Sequence, residues 1–144
     1  MKNIVLPKLL IKLGEHAFSN CHELEGTVFP EGLTEIENFT FRSCTSLHEI
    51  VIPYGITRIG DYAFDCCRGL THINIPCSVT SIGTSAFWQC ESLESIVIPE
   101  SVKSIGDRAF VNCFRLKEFV YGSRDIPFTS ANEITMELIL QYLS

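Results

Sequence analysis

The sequence predicts an α/β solenoid, a right-handed coil with a parallel sheet on one face and short helices on the other. Two observations predict it. The chain repeats every 23 residues from residue 4 to about residue 120 without an insertion, and each unit holds one amphipathic segment followed by one alternating segment. A unit of this size cannot bury its apolar side alone, so successive units are expected to stack.

The repeat is defined by columns of equivalent residues. The phenylalanine, cysteine, leucine and proline columns are Phe18, Phe41, Phe64, Phe87 and Phe110; Cys21, Cys44, Cys67, Cys90 and Cys113; Leu24, Leu47, Leu70, Leu93 and Leu116; and Pro7, Pro30, Pro53, Pro76 and Pro99. The second unit is irregular, because Glu37 and Thr40 stand where the other units carry glycine and alanine.

The amphipathic segment of each unit predicts a short helix. Phe87, Cys90 and Leu93 lie one, four and seven residues after Ala86. This spacing puts them on one stripe of a helix, which we expect to face the core.

The alternating segment predicts a short strand. Ile96 and Ile98 should face inward, whereas Ser95 and Val97 should face outward. Pro99 ends the strand because proline lacks the N–H of a further ladder bond. Stacked units would align these strands at a spacing of about 4.8 Å.

The string Ile82-Gly83-x-x-Ala86-Phe87-x-x-Cys90-x-x-Leu93-x-x-Ile96-x-Ile98-Pro99 resembles the BspA-like, or treponemal-type, leucine-rich repeats. The resemblance covers roughly residues 4 to 121, and a generic leucine-rich repeat carries neither the Ala-Phe pair nor the Ile-Pro strand end. It implies a leucine-rich-repeat solenoid of a kind found in surface and secreted proteins of host-associated bacteria and some protozoan parasites. It also implies a role in adhesion.

The chain is predicted to divide into two parts. Residues 1–121 form the solenoid, with five 23-residue repeats and a partial first one, and residues 122–144 form a C-terminal cap. Within the cap, residues 129–143 predict a helix that begins with a capping box of Ser130 and Glu133 and covers the last coil.

Composition excludes two classes of partner. The net charge is -6 and the eleven basic residues are scattered, which argues against nucleic acid. No apolar run approaches the ~20 residues of a membrane-spanning helix, so no membrane insertion is expected. Pro7, Lys8 and Lys12 interrupt any apolar leader, so a surface or secreted location rests on the resemblance alone.

The seven cysteines predict buried free thiols. Five of them share one column and should occupy equivalent core positions, with neighbouring coils roughly 8 to 10 Å apart on the helical side. Cys66 and Cys67 lack the spacing of a zinc knuckle, and no cluster of histidines accompanies them. We therefore expect no metal site and no cofactor.

The best candidate for binding is an outward column of the strands. It forms a nearly continuous apolar row of Val5, Val28, Val51, Asn74, Val97 and Val120. Glu49 and His72 lie in the next column and supply a polar rim, so the predicted partner-binding residues are Val28, Glu49, Val51, His72, Asn74, Val97 and Val120. The alternative is that valine only satisfies strand propensity.

The same rim has the composition of a hydrolase triad, because Glu49, His72 and Ser95 stand on successive rungs. A triad also needs a recessed pocket and an oxyanion hole, which a flat open sheet does not offer. The sequence therefore predicts a protein without enzymatic activity.

The function predicted is that of an adhesin-like interaction module that binds a protein, either a host protein or a second copy, through the exposed sheet face. A homo-oligomer is one alternative, formed through the valine row or through the N-terminal end, where the chain enters at Ile4 without a cap. A truncated chain, or one continued by a partner, would also explain that end. The alternative is a structural spacer or self-association domain with no specific ligand.

Overall fold

The structure is a computed structural model that describes residues 2–143, and it confirms the solenoid. About five coils stack along one axis, and most strand pairs are parallel. The elements in chain order are β1 (Asn3–Val5), β2 (Gly26–Val28), β3 (Glu35–Ile36), β4 (Glu49–Val51), β5 (Arg58–Ile59), β6 (His72–Asn74), β7 (Ser81–Ile82), β8 (Ser95–Ile98), β9 (Ser104–Ile105), β10 (Glu118–Tyr121), β11 (Arg124–Asp125), a 3₁₀ turn (Ala131–Glu133) and α1 (Met136–Gln141).

One strand from each coil forms the layer that we call the first strand layer, made of β1, β2, β4, β6, β8 and β10. Its hydrogen-bonded groups are β1 with β2, β4 with β6, and β8 with β10, and the groups lie against one another along the solenoid. Residues 23 positions apart are paired, as Ile50 with Ile73 and Ile96 with Phe119. The predicted register is therefore confirmed. The inward residues of β4, β6, β8 and β10 are buried, and those of β1 and β2 are half-buried.

A second strand layer was not expected from the sequence. The two-residue strands β3, β5, β7 and β9 form a four-stranded parallel sheet on another side of each coil. Their inward residues continue the core, with Ile36, Ile59 and Ile82 buried. Two residues are too short to show a period-two pattern, so periodicity alone cannot detect them.

The segments predicted as short helices are turns. Their apolar stripe faces the core as expected, but Ser85 and Gln89 adopt positive φ angles of 51° and 57°, and each break interrupts helical geometry. The backbone N–H groups of Ser85, Phe87 and Gln89 donate to carbonyls of the next coil instead of to their own turn. Bonding between coils thus replaces the helical pattern.

Because of these bonds, neighbouring coils on the turn side lie closer together than the expected 8 to 10 Å. Equivalent rings in the phenylalanine column stack face to face, with centroids 5.4 Å apart between Phe41 and Phe64, between Phe64 and Phe87, and between Phe87 and Phe110. The coils are therefore about as close on the turn side as on the strand side.

The cysteine column lies beside this stack, and its thiols form hydrogen bonds as well as apolar contacts. Four of the five column thiols donate to the carbonyl oxygen of the phenylalanine 26 residues earlier, as Cys67 does to Phe41 at 3.0 Å and Cys90 to Phe64 at 3.2 Å. Cys44 and Cys113 make the same bond. Four of the five column thiols are buried and free, as predicted, while Cys21 in the first coil is half-buried.

The C-terminal segment differs in detail from the predicted helix over 129–143. The α-helix is only Met136–Gln141, and the hydroxyl of Thr135 caps it by accepting from the N–H of Leu138. Ser130 instead caps the 3₁₀ turn through the N–H of Asn132, and the Glu133 carboxylate accepts from Thr129.

This segment packs against the end of the solenoid. Ile134 and Ile139 are buried in the same core as Phe110, and the Asn132 side chain accepts from the N–H of Asn112 in the last coil. No helix within residues 2–143 has the length and apolar character to cross a membrane.

Close stacking makes one glycine column sensitive to substitution. A Cβ at Gly83 would lie 2.6 Å from the backbone nitrogen of Asp61, whereas a Cβ at Gly14 would meet nothing within 4 Å. We expect Gly83→Ala to lower the free energy of unfolding by about 1 to 3 kcal/mol, because the coils must separate to admit the methyl group. Gly14→Ala is the matched control and should be neutral or slightly stabilising. Urea unfolding followed by circular dichroism measures both, and equal effects would contradict the close approach.

Candidate functional site

The exposed face of the first strand layer carries the predicted valine row. Val5, Val28, Val51 and Val97 have 81%, 66%, 66% and 55% of their surfaces exposed. Val5 is paired with Val28 in the strand register, so these side chains are neighbours in space. Large apolar side chains aligned on a surface are typical of contact surfaces.

Two members of the row depart from this pattern. The side-chain amide of Asn74 accepts from the N–H of Ile52 at 2.9 Å and donates to the carbonyl of Ile52 at 3.1 Å, so it stitches two coils together. Val120 is half-buried and is paired with Asp125 of the antiparallel strand β11. Within the row, the exposed apolar surface is therefore concentrated at Val5, Val28, Val51 and Val97.

The polar rim lies where the sequence predicted it. Glu49 is paired with His72 in the register and both are exposed. The Nδ1 atom of His72 lies 2.7 Å from the carbonyl oxygen of Thr71, and within residues 2–143 no hydrogen bond joins His72 to Glu49 or to Ser95. The row thus lacks the linked hydrogen bonds by which a hydrolase activates its serine.

The structure also shows an aromatic row that the sequence reasoning missed. His16 stacks on Phe39 with ring centroids 4.6 Å apart, Phe39 stacks on Tyr62 at 5.0 Å, and the Trp88 ring is tilted against Tyr62 at 6.4 Å. The first three share one column of the repeat, which was the available signal. Because the rings cover each other's faces, they join coils rather than offer stacking surface to a ligand.

Metal binding has no support in residues 2–143, where no group of three or more His, Cys, Asp or Glu side chains could hold an ion. Cys66 donates to Asp65 and Gln89, and burial raises the pKa of its thiol to about 11. Cys77 is exposed.

Thiol labelling is expected to follow this burial. Treatment of the folded protein with iodoacetamide near pH ~8 should give a fast first adduct at Cys77, because alkylation needs an accessible thiolate. The buried thiols of Cys67 and Cys90 should react only after unfolding, since burial raises the pKa of each well above its ordinary value. Intact-mass and peptide mass spectrometry follow the adducts, and Cys77→Ser should remove the fast phase. Rapid labelling of Cys67 in the folded protein would refute the assignment.

Comparison with known proteins agrees with this geometry. The model of the BspA type Leucine rich repeat region matches residues 1–128 in six copies. The chain is similar to a Leucine Rich Repeat protein of T. pallidum, with 34% identity and a TM-score of 0.79 over 81% of this chain and 57% of that one. It is also similar to a leucine rich cell surface protein of Faecalibacterium prausnitzii, with 27% identity and a TM-score of 0.69 over 86% of this chain and 40% of that one.

A leucine-rich repeat protein of Bacteroides ovatus has 26% identity and a TM-score of 0.63, over 84% of this chain and 37% of that one. The chain thus spans only 57% and 37% of the first two of these relatives in order of similarity. Comparison with curated proteins gave no match.

Proposed function

Since this chain belongs to the BspA type leucine-rich repeat family, we propose that it is an adhesin-like module that binds a protein partner through the exposed face of its first strand layer. Leucine-rich repeat proteins generally mediate protein–protein interaction. The observation that supports this face is the exposure of Val5, Val28, Val51 and Val97 in one row across the strands. A purely solvated strand face would carry polar side chains there.

A host protein at a cell surface is the partner that we favour. The F. prausnitzii relative is described as a cell surface protein, which supports a surface or secreted location for this chain as part of the same proposal. The apolar row with its polar rim of Glu49 and His72 has the composition of a contact surface, in which an apolar centre is surrounded by hydrated groups.

The test replaces the centre of the row. Val51→Lys together with Val97→Lys should abolish binding to a panel of immobilised host matrix proteins, because two charged side chains would have to be desolvated in the interface. The matched control is Phe114→Lys with Leu140→Lys, which adds the same charge and removes two exposed apolar side chains outside this face. Surface plasmon resonance measures binding, and light scattering measures the mass of each variant.

Three outcomes decide the proposal. Loss of binding in the valine variant alone supports the face. Loss of self-association instead, seen as a lower mass than that of the unmodified chain, would make the partner a second copy. No change in either measurement would overturn the proposal and favour a structural spacer.

A further inference from the structure

The valine row borders a depression in the face of the first strand layer. It spans the first three coils, has a volume of about 460 Å³ and is open to solvent. Gly26 and its strand partner Asn3 both line it, and Gly26 occupies the column where the next two coils carry Glu49 and His72. Val28 and Val51, each 66% exposed, line the same depression.

Carboxylates line the same depression. Glu25 is exposed and lies 3.9 Å from the Lys2 ammonium, an ion pair that is itself solvated. Glu49 is also exposed, and it forms no ion pair among residues 2–143. An apolar wall thus stands beside two negative charges, one of which is not neutralised.

The basic side chains that pair with carboxylates elsewhere do not reach this face. Arg42 pairs with Asp65, Arg58 with Glu35 and Glu37, and Arg68 with Glu91, all on the turns and the second strand layer. The protein as a whole carries a net charge of -6. The face therefore attracts positive charge and repels a second copy of itself.

We infer that the depression takes a basic segment of a partner protein, with an aliphatic side chain against Val28 and Val51 and a neighbouring Lys or Arg facing Glu25 and Glu49. This rests on the proposed function and adds the chemistry of the partner to it. An open depression of this size accommodates side chains presented by a protein chain, and the opposite charges set the register and speed the encounter.

The probes are two short synthetic peptides that alternate leucine with lysine or leucine with glutamate, each carrying a fluorophore. Anisotropy titration with the full chain should show binding of the lysine peptide and none of the glutamate peptide. Raising the salt from about 50 to about 300 mM should weaken the binding, because the charges involved are solvent-exposed.

Three substitutions test whether the lysine peptide binds at this depression. Glu49→Gln should weaken binding of the lysine peptide about three- to tenfold, whereas Glu94→Gln, the same change in charge at an exposed residue outside the lining of the depression, should have a smaller effect. Gly26→Leu, which fills the depression without changing charge, should reduce binding at least about tenfold. Circular dichroism confirms that each variant is folded.

Equal binding of the two peptides, or equal effects of Glu49→Gln and Glu94→Gln, would overturn the inference. If the valine variant still loses its binding to the matrix proteins in that case, the proposed function stands and only the class of partner is wrong. If the valine variant binds both the peptides and the matrix proteins as well as the unmodified chain does, the proposed function fails as well.

Discussion

Raising the pH from about 8 to about 10 is expected to lower the free energy of unfolding by several kcal/mol, through the four buried column thiols. Burial raises the pKa of Cys44 and Cys113 to about 12, and that of Cys67 and Cys90 well above the ordinary value. The unfolded chain releases these protons near pH ~9, but the folded chain retains them. Their stabilisation is therefore present below that pH and is lost as the pH rises from there toward about 12, at about 1.4 kcal/mol per thiol per pH unit once the unfolded thiols are ionised.

Urea unfolding at several pH values measures this loss. Cys67→Ala together with Cys90→Ala should remove about half of the column thiols' contribution to the dependence on pH, whatever their effect on stability at neutral pH. Cys77→Ser changes an exposed thiol and should leave the dependence unaltered. Cys66 and Tyr121, whose pKa values are also raised by burial, are present in every variant and cancel in the comparison. The account would be contradicted if raising the pH lowered the free energy of unfolding of the double variant as much as that of the unmodified protein.

Removing one ring from the phenylalanine column should have an effect of similar size. Phe64 is fully buried between Phe41 and Phe87, so Phe64→Ala leaves a gap that the neighbouring coils cannot close, at a cost of about 3 to 5 kcal/mol. Phe114→Ala is the matched control, because Phe114 is 73% exposed and its removal should change stability by less than about 0.5 kcal/mol. Urea unfolding compares the two, and equal costs would show that the column is not one continuous stack.

The sequence was sufficient for the period, the core columns and the first strand layer. Stacked coils turn identical residues into identical neighbours, so one unit predicts all the others. The outward position of Val28, Val51 and Val97 followed directly from alternation with buried residues.

The turns could not be distinguished from helices by spacing. Ala86, Phe87, Cys90 and Leu93 face the core in either conformation, and the breaks occur at non-glycine residues such as Ser85 and Gln89. A partial signal existed, because the column of Gln89 also contains Asn20 and Asn112, and asparagine adopts positive φ more readily than most residues.

The partial burial of Val120 depends on the strand that comes after it in the chain. Gly122 has a φ of +63° and turns the chain back, so that β11 can cover the end of the row. The prediction ended the repeat at this point but did not foresee a returning strand. The division at residues 121 and 122 remains a prediction.

Hydrogen–deuterium exchange of the complex with whichever matrix protein binds is the most direct test of the proposed face. We predict new protection along β1, β2, β4 and β8, together with unchanged exchange in the second strand layer. Protection confined to the turns or to the second strand layer would contradict the assignment of the binding surface.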